Sequence, residues 1–318
     1  MFELQAPLML YWDLARAGGR ALMEKACLDI ASSGVFVLNL EETVPAQKSD
    51  MAAEIVLDGL RGSGIKIVLT IHAEDTASGR AEGLLAVGGS GLKRLLLRVE
   101  SLKELESHLA DFLELRGKPE KKSHGTSLGV SFAINGKNLR EIPEVLGCCL
   151  KNGNGLAFEV PIARCMKIPD GQKQKGDEIF MPEAGTLAKL AGEISKMDLG
   201  KLEVLIHDPF LWPLFAGKNK NPNAEGCHAA QTMLYIRPDF EVAPCPIMPL
   251  SLGNMRTSGI RRIYQSGEKK RLREALAAAP PGCAGCSEME SCRGGCRGRA
   301  LALGGALAGR DPACPVRQ

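Results

Sequence analysis

Seven of the eleven cysteines of this 318-residue chain lie between residues 227 and 314. They are spaced as Cys-x17-Cys, then, after a gap, as Cys-x2-Cys-x5-Cys-x3-Cys, with a last cysteine in Asp-Pro-Ala-Cys-Pro. These residues are Cys227, Cys245, Cys283, Cys286, Cys292, Cys296 and Cys314. One tetrahedral site uses four ligands, so seven thiols predict more than one site. Thiolates select zinc, copper(I) or iron–sulfur clusters.

Composition excludes several other classes of protein. The N-terminus has neither the basic start nor the cleavage site of a signal peptide, and no apolar run reaches the roughly 20 residues of a membrane span. We therefore expect a cytoplasmic chain, where clustered cysteines favour metal binding or catalysis over disulfides. A net charge of +3, with two Trp and three Tyr, gives no argument for nucleic acid.

The first two thirds of the chain alternate between short apolar runs and amphipathic stretches, which predicts an α/β fold. The predicted strands are residues 7–12, 34–40, 65–71, 95–99, 127–134, 156–160 and 202–206. The predicted helices are residues 20–31, 46–60, 101–115, 139–150 and 182–197. Near-continuous apolar strands indicate a parallel sheet. Because no Gly-x-Gly-x-x-Gly follows the first strand, we expect a partial or closed (β/α) barrel and not an open dinucleotide-binding sheet.

Two local signals in this region make specific predictions. Ser101, with Glu104 three residues later, has the pattern of a capping box and predicts the start of a helix. The glycine cluster at residues 88–91 precedes the fourth strand instead of linking a strand to a helix. It therefore predicts a turn and not a phosphate-binding loop.

The cysteine pattern and its context resemble the SPASM domain, the C-terminal extension of many radical S-adenosylmethionine (SAM) enzymes that modify peptides and proteins. The second block agrees with the family pattern at every position, including Gly294 and Gly295 before Cys296 and the Asp311-Pro-Ala-Cys-Pro sequence. The first block departs once, because Phe240 stands where the family has a glycine. Phe adopts positive φ less readily than Gly, so we expect a changed turn but no lost ligand.

The resemblance implies two regions, a radical SAM-like (β/α) barrel over residues 1–215 and a SPASM iron–sulfur domain over residues 216–318. It implies two auxiliary [4Fe–4S] clusters as cofactors. One would be ligated by Cys283, Cys286, Cys292 and Cys314, and the other by Cys227, Cys245 and Cys296. The second cluster lacks a fourth cysteine, so its last position is open or filled by another group. His228 is adjacent in sequence, although a residue next to a ligand more often points elsewhere.

Structural zinc is the alternative interpretation of these cysteines. Zinc ribbons commonly use Cys-x2-Cys pairs in closed sites of four ligands. The Cys-x5-Cys-x3-Cys spacing is unusual for such a site, and seven cysteines do not divide evenly into groups of four. The pattern therefore favours iron–sulfur clusters and leaves zinc open.

Two motifs of radical SAM enzymes are missing. The family carries Cys-x3-Cys-x2-Cys after the first barrel strand, whereas here no cysteine precedes Cys27, which falls within the predicted first helix. Residues 39–45, after the second strand, also lack the family's Gly-Gly-Glu-Pro sequence, which contacts SAM. The resemblance therefore implies a degenerate member that binds no SAM and has no radical SAM activity of its own.

The remaining candidate residues carry weaker signals. We interpret the four other cysteines as structural: Cys27, Cys148, Cys149 and Cys165. His72 follows the third strand, and His207 with Asp208 follows the seventh, positions where catalytic side chains can project from a barrel. No third group identifies them as catalytic. Basic residues between 261 and 273 lie on a predicted helix, which is either a solvated face or a docking face for an acidic peptide or partner.

These observations together predict an iron–sulfur SPASM-domain protein that is an accessory or electron-relay partner of a radical SAM enzyme in peptide or protein maturation. The nearest subgroup by resemblance is the SPASM-domain protein of the GeoRSP peptide-maturation systems. Expected partners are a radical SAM/SPASM enzyme, a precursor peptide, or both, without nucleic acid or membrane. Two alternatives stay open. One is an independent enzyme that uses an open-site [4Fe–4S] cluster, and the other is a zinc-binding structural or interaction protein.

Overall fold

The computed structural model describes residues 4–15, 18–42, 51–116, 125–152, 156–161, 184–215, 227–314 and 316. The strands in these residues are β1 Met9–Asp13, β2 Val37–Glu41, β3 Lys66–Ile71, β4 Leu92–Val99, β5 Ser127–Phe132, β6 Ala157–Val160, β7 Glu203–Ile206, β8 Met233–Ile236, β9 Glu241–Ala243 and β10 Gly253–Asn254. The helices are α1 Arg20–Ser33, α2 Ala52–Gly59, α3 Ala73–Ala77, α4 Arg80–Gly88, α5 Leu102–Glu114, α6 Ile142–Asn152, α7 Ala184–Ile194, α8 Ile260–Tyr264, α9 Gly267–Ala277, α10 Met289–Cys292 and α11 Arg297–Gly304. Short 3₁₀ turns cover Leu139–Glu141, Trp212–Phe215 and Pro281–Cys283.

All ten strands belong to one sheet, in the order β10-β9-β8-β1-β2-β3-β4-β5-β6-β7. The seven predicted strands correspond to β1–β7, which pair in parallel in chain order. Because β7 and β10 lie at opposite edges of this sheet, the barrel is partial and not closed. The expected α/β class with a partial barrel is therefore confirmed.

Three strands that the sequence analysis did not predict extend the sheet beyond β1. Strand β8 pairs in parallel with β1, with Tyr11 opposite Tyr235, and β9 and β10 add antiparallel pairs at the edge. These strands come from the cysteine-rich region, so its backbone is hydrogen-bonded directly to the first barrel strand. The division of the chain at residue 216 stays a prediction.

Gly129 lies at a close approach between β4, β5 and β6. A Cβ atom on Gly129 would lie 2.6 Å from a Leu96 methyl group and 2.8 Å from the Ala157 carbonyl oxygen. Only glycine therefore fits at this point of β5. The Arg94 guanidinium on β4 forms an ion pair with Glu203 on β7. By strand register, this contact lies on the same face of the sheet as Leu96.

Helices cover the opposite, apolar face of the sheet, where Leu10, Leu38, Leu69, Leu95 and Phe158 are buried. Helix α5 begins as predicted, with the Ser101 hydroxyl accepting the N–H of Glu104 at 3.1 Å. The Glu104 carboxylate accepts from the N–H of Glu100, one residue before the position that a capping box uses. The glycine cluster before β4 is a turn, with Gly89 at a φ of 49°.

Candidate metal centres

Cys227, Cys245 and Cys296 come from three different segments and line one cavity of about 100 Å³. Cys227 precedes β8, Cys245 follows β9, and Cys296 lies at the start of α11. Burial raises the pKa of the Cys296 thiol to about 12 and that of Cys245 well above its ordinary value. A bound cation would offset this cost, because metal coordination deprotonates a thiol. The predicted three-cysteine set is therefore brought together.

Two backbone features hold the Cys227 segment against the Cys245 segment. The N–H of Ala230, a residue with a φ of 53°, donates to the carbonyl oxygens of Met233 and Pro244, each at 3.1 Å. The Arg273 guanidinium donates to the carbonyl oxygens of Cys227 at 2.8 Å and Ala229 at 3.0 Å. Arg273 thus fixes the loop that carries a predicted ligand.

This contact changes the interpretation of the basic helix. The side chain of Lys269 is buried, with its ammonium group 4.0 Å from the centre of the Tyr264 ring. Arg273 is occupied by the Cys227 loop. Both sequence interpretations of α9 treated these two residues as part of a solvated or docking face. The structure gives them internal contacts instead, and exposed basic residues remain at 261, 262, 270 and 271.

The second set, Cys283, Cys286, Cys292 and Cys314, lines a larger cavity of about 640 Å³. The N–H of Cys286 donates to the carbonyl oxygen of Cys283 at 3.2 Å, which closes the turn of the Cys-x2-Cys pair. Cys292 is the last residue of helix α10. On the opposite wall of the cavity lie apolar residues of α7 and of the 3₁₀ turn after β7. These residues are Leu187, Ala188, Ala191, Trp212, Pro213 and Leu214.

At the two glycines before Cys296, which match the family pattern, the structure leaves no room for a side chain. Gly294 and Gly295 have φ values of 90° and 72° and reverse the chain after α10. A Cβ atom would lie 2.8 Å from Pro280 at the first position and 2.7 Å from Asp311 at the second. Burial raises the pKa of Cys292, and the N–H groups of both glycines oppose that effect. The glycines therefore bring main-chain donors close to a predicted ligand.

Asp311 accepts hydrogen bonds from the backbone of the two segments that carry Cys296 and Cys314. Its carboxylate accepts the N–H of Cys296 at 2.6 Å and the N–H of Ala313, beside Cys314, at 3.0 Å. Arg299 donates to the same carboxylate and, at 2.6 Å, to Asp208 after β7. Sequence reasoning quoted Asp311 only as context and did not identify Arg299. The available signal was a set of four charged residues, Arg297, Arg299, Arg310 and Asp311, in a segment otherwise rich in Gly, Ala and Leu.

Phe240 corrects one prediction. The sequence analysis expected a changed turn at this position, yet Phe240 has a φ of 68°, in the left-handed region that its glycine counterpart favours. The buried ring packs edge-to-face on Trp12, with ring centres 5.7 Å apart, and the Arg256 guanidinium lies 5.6 Å from it. Buried aromatic contacts offset the strain of about 1–2 kcal/mol that a left-handed residue carries.

The four other cysteines are placed as follows. Cys27 lies in α1 and is fully buried, and a Cβ atom on Gly59 of α2 would lie 3.1 Å from the Cβ atom of Cys27. Cys149 is fully buried in α6, whereas Cys148 beside it is half-buried. Cys165 lies outside the described residues. The three described thiols occupy helix-packing positions, as expected for structural cysteines.

His72 has local partners. One ring nitrogen lies 2.6 Å from the carbonyl oxygen of Glu42, and its backbone N–H donates to Asp75 at 3.0 Å. The carboxylates of Glu42 and Asp75 also pair with Arg80, at 2.7 and 2.9 Å. His72 therefore belongs to a buried polar cluster that ties β2 to α3 and α4.

His207 and His228 both line the three-cysteine cavity. His207 lies 3.2 Å from the Glu159 carboxylate and edge-on to the Tyr11 ring, at 6.3 Å between ring centres. One ring nitrogen of His228 lies 3.1 Å from the Thr232 hydroxyl. The sequence analysis did not identify Tyr11 and Glu159. The available signal was a carboxylate and a phenol in the middle of otherwise apolar strands.

Among the described residues, no three or more His, Cys, Asp or Glu side chains converge closely enough to hold a single metal ion. In the same part of the chain, no helix is long and apolar enough to cross a membrane.

Comparison with known proteins gives one domain match and several relatives. Residues 227–287 match SPASM, an iron–sulfur cluster-binding domain. The chain is 26% identical over 317 residues to the PqqA peptide cyclase of Xanthomonas campestris pv. campestris (strain 8004), covering 95% of this chain and 78% of that protein. It is 22% identical over 310 residues to the AdoMet-dependent heme synthase of Methanosarcina barkeri, covering 91% and 85%.

The fold is also similar to solved structures. Native anSMEcpe with bound AdoMet aligns over 96% of this chain and 93% of that one, with a TM-score of 0.63 and 14% sequence identity. The same enzyme with bound AdoMet and the Cp18Cys peptide gives a TM-score of 0.63 at 15% identity, over 96% and 93% of the two chains. The family match is thus to the SPASM domain at residues 227–287, while the similarity to these relatives and to this fold extends along most of the chain.

Proposed function

We propose that this protein carries two [4Fe–4S] clusters and acts as an accessory or electron-relay partner of a radical SAM enzyme that matures a peptide. The observation that carries this proposal is that the seven cysteines line two adjoining cavities, Cys283, Cys286 and Cys314 in one, Cys227, Cys245 and Cys296 in the other, and Cys292 in both. Thiolates are the usual ligands of such clusters. The cluster itself would supply one-electron chemistry, and the residues around it would set its position and access.

Both sites contain partly exposed thiols, as a relay requires. In the larger cavity these are Cys286, Cys292 and Cys314, and in the smaller one Cys227 and Cys296, whereas Cys283 and Cys245 are buried. Asp311 is hydrogen-bonded to the N–H of Cys296 and to the N–H of Ala313, so it bridges the segments that carry the two sites. The backbone segments that carry the two clusters would thus be joined through one carboxylate.

The end of β1 supports the proposal that this chain does not use SAM. No cysteine precedes Cys27, and that thiol is buried between α1 and α2. Trp12 near the end of β1 packs against Phe240. Reduced protein incubated with SAM is therefore expected to release no 5′-deoxyadenosine above background. Sustained, protein-dependent release would refute this part of the proposal.

Metal analysis tests the cofactor content. Protein purified and reconstituted without air is expected to hold about eight iron atoms and eight sulfides per chain, since each cluster holds four of each. Cys286→Ala should remove one cluster and leave the other, whereas Cys148→Ala, at a half-buried position in α6, should leave both. Stoichiometric zinc without sulfide would refute the iron–sulfur assignment and revive the zinc-binding alternative.

The partners follow from the relatives. The names of the similar proteins include a peptide cyclase and an enzyme solved with a peptide, so we propose a precursor peptide, a complete radical SAM/SPASM enzyme, or both, as in the GeoRSP systems. The number of thiols favours the reducing cytoplasm. Co-purification and peptide-modification assays with and without this protein test the accessory role. Full modification in its absence, with no detectable binding, would contradict it.

A second candidate function rests on the three-cysteine cavity. That cavity extends to Tyr11 on β1 and to His207 after β7, at the wall of the partial barrel. A cluster held by three cysteines would leave one iron without a cysteine ligand, and that iron could supply a binding position for a substrate group. Substrate-dependent change in the electron paramagnetic resonance (EPR) spectrum of the isolated protein, with turnover in the absence of a second enzyme, would favour this independent enzyme.

A further inference from the structure

Arg310 contacts the four-cysteine site through a sulfur atom. Its guanidinium Nη2 lies 3.3 Å from Cys314 Sγ, within hydrogen-bonding distance for a sulfur acceptor. Arg310 also lines the cavity that Cys283, Cys286 and Cys292 share. The side chain is therefore directed at a predicted ligand of this site.

This contact differs from the arginine contact at the other site. Arg273 donates to main-chain carbonyl oxygens beside Cys227, so it acts on the shape of a loop. Arg310 donates to a predicted ligand atom itself. Glu288 and Glu290 line the same cavity as Arg310, and both are exposed to solvent, which screens their charges.

Hydrogen bonds to cluster sulfur and net charge around the cluster set its reduction potential. One-electron reduction adds one negative charge to the cluster. A cation that donates to a ligand sulfur stabilises the reduced form more than the oxidised form. The potential of the cluster therefore rises when such a cation is present.

We propose that Arg310 is a positioning residue that raises the reduction potential of the four-cysteine cluster, so that this cluster accepts one electron from an external one-electron donor. The inference rests on the proposed cluster content and goes beyond it, because it assigns a role to a residue that is not a ligand. It also makes the four-cysteine site the electron acceptor of the pair.

The test is a potentiometric titration of the reconstituted protein with dithionite, followed by EPR. Wild type, Arg310→Gln and Arg310→Lys are compared in full-length protein, and again with Cys227→Ala, which leaves the four-cysteine cluster as the main signal. Arg271→Gln is the matched control, because Arg271 is exposed and forms its ion pair with another exposed residue, Glu268.

We expect Arg310→Gln to shift the midpoint of the four-cysteine cluster to a lower potential at unchanged iron content. Arg310→Lys should restore part of the shift, and Arg271→Gln should cause none. An unshifted midpoint in iron-replete Arg310→Gln overturns the inference. Loss of that cluster from both Arg310 variants also overturns the inference, because Arg310 would then be needed for the cluster to assemble. Wild-type protein without iron and sulfide would refute the proposed function instead.

Discussion

Arg299 and Asp311 form two parallel hydrogen bonds, Nε to Oδ1 at 2.7 Å and Nη2 to Oδ2 at 2.8 Å, in a region where Arg299 has no exposed surface. Such a bidentate pair fixes both direction and distance. The third guanidinium nitrogen, Nη1, donates to the Asp208 carboxylate at 2.6 Å. The loop after β7, helix α11 and the segment before Cys314 are thus held by one cation.

Removal of this cation is expected to be costly. Arg299→Met would leave two buried carboxylates, Asp208 and Asp311, without their partner, and the loss of one member of a buried pair costs about 3–5 kcal/mol. We expect a lower thermal unfolding midpoint and lower retention of iron at both cysteine sites. Arg271→Met, at an exposed ion pair, is the control and should change neither quantity. Equal stability of the two variants would show that the network does not hold the sites together.

Phe240 allows a test of backbone strain against packing. Phe240→Ala should lower the free energy of unfolding by about 3–5 kcal/mol, because it removes a buried ring. Phe240→Gly should be more stable than Phe240→Ala by about 1 kcal/mol, because glycine accepts a φ of 68° without strain. At a buried position with ordinary helix or strand geometry, the glycine variant is instead less stable than the alanine variant.

Phe112 supplies the matched control, since it is equally buried but lies inside helix α5. There, glycine should be less stable than alanine by about 1 kcal/mol. Urea unfolding of the four variants measures both differences. If Phe240→Gly is also the less stable of its pair, the left-handed conformation of Phe240 is not the source of strain.

Two arginines on one helix separate a structural role from a docking role. Arg273 in α9 holds the carbonyl oxygens of Cys227 and Ala229, whereas Arg271 is exposed. We expect Arg273→Gln to lower the iron content by up to one cluster, because the Cys227 loop loses its two donors. Arg271→Gln should leave iron unchanged. Full iron in Arg273→Gln would return this residue to the docking face that the sequence analysis considered.

The barrel strands were predictable because each is a run of about four to eight apolar residues that the sheet buries. The run Met233–Ile236 carries the same signal, but at four residues it is short, and β9 and β10 are shorter still. The pairing of β8 with β1 depends on contacts between residues more than 200 positions apart, as between Tyr11 and Tyr235. No local pattern encodes such pairing.

In the candidate site, too, the local features were predictable from the sequence and the long-range contacts were not. Cysteine spacing was enough to predict the four-cysteine and three-cysteine groups, since ligand type and interval are local properties. The contacts that support them join distant residues, as with Asp208 and Arg299, 91 positions apart. The Phe240 prediction was wrong for a different reason. Propensity disfavours a left-handed phenylalanine, and burial of its ring against Trp12 overrides that preference.

Cys149 makes a prediction about alkaline pH. Burial raises the pKa of its thiol from the ordinary value of 9.0 to about 12, and the nearby Cys148 thiol contributes in the same direction. Below pH 9, both the folded and the unfolded chain keep this proton, so its full contribution to stability is present. Between pH 9 and 12 the unfolded chain loses the proton and the folded chain does not, so stability falls by about 1.4 kcal/mol per pH unit.

Urea unfolding at pH 8 and pH 10 checks this expectation. Wild type should lose about 1 kcal/mol more than Cys149→Ala between the two pH values, because the variant has no thiol to ionise in the unfolded chain. Cys148→Ala keeps the buried thiol and should follow wild type closely, since Cys148 is half-buried and solvent reaches it. Iron content at pH 8 should be the same in all three proteins if these cysteines are structural. An identical loss in wild type and Cys149→Ala would show that this thiol ionises as readily in the folded chain as in the unfolded one.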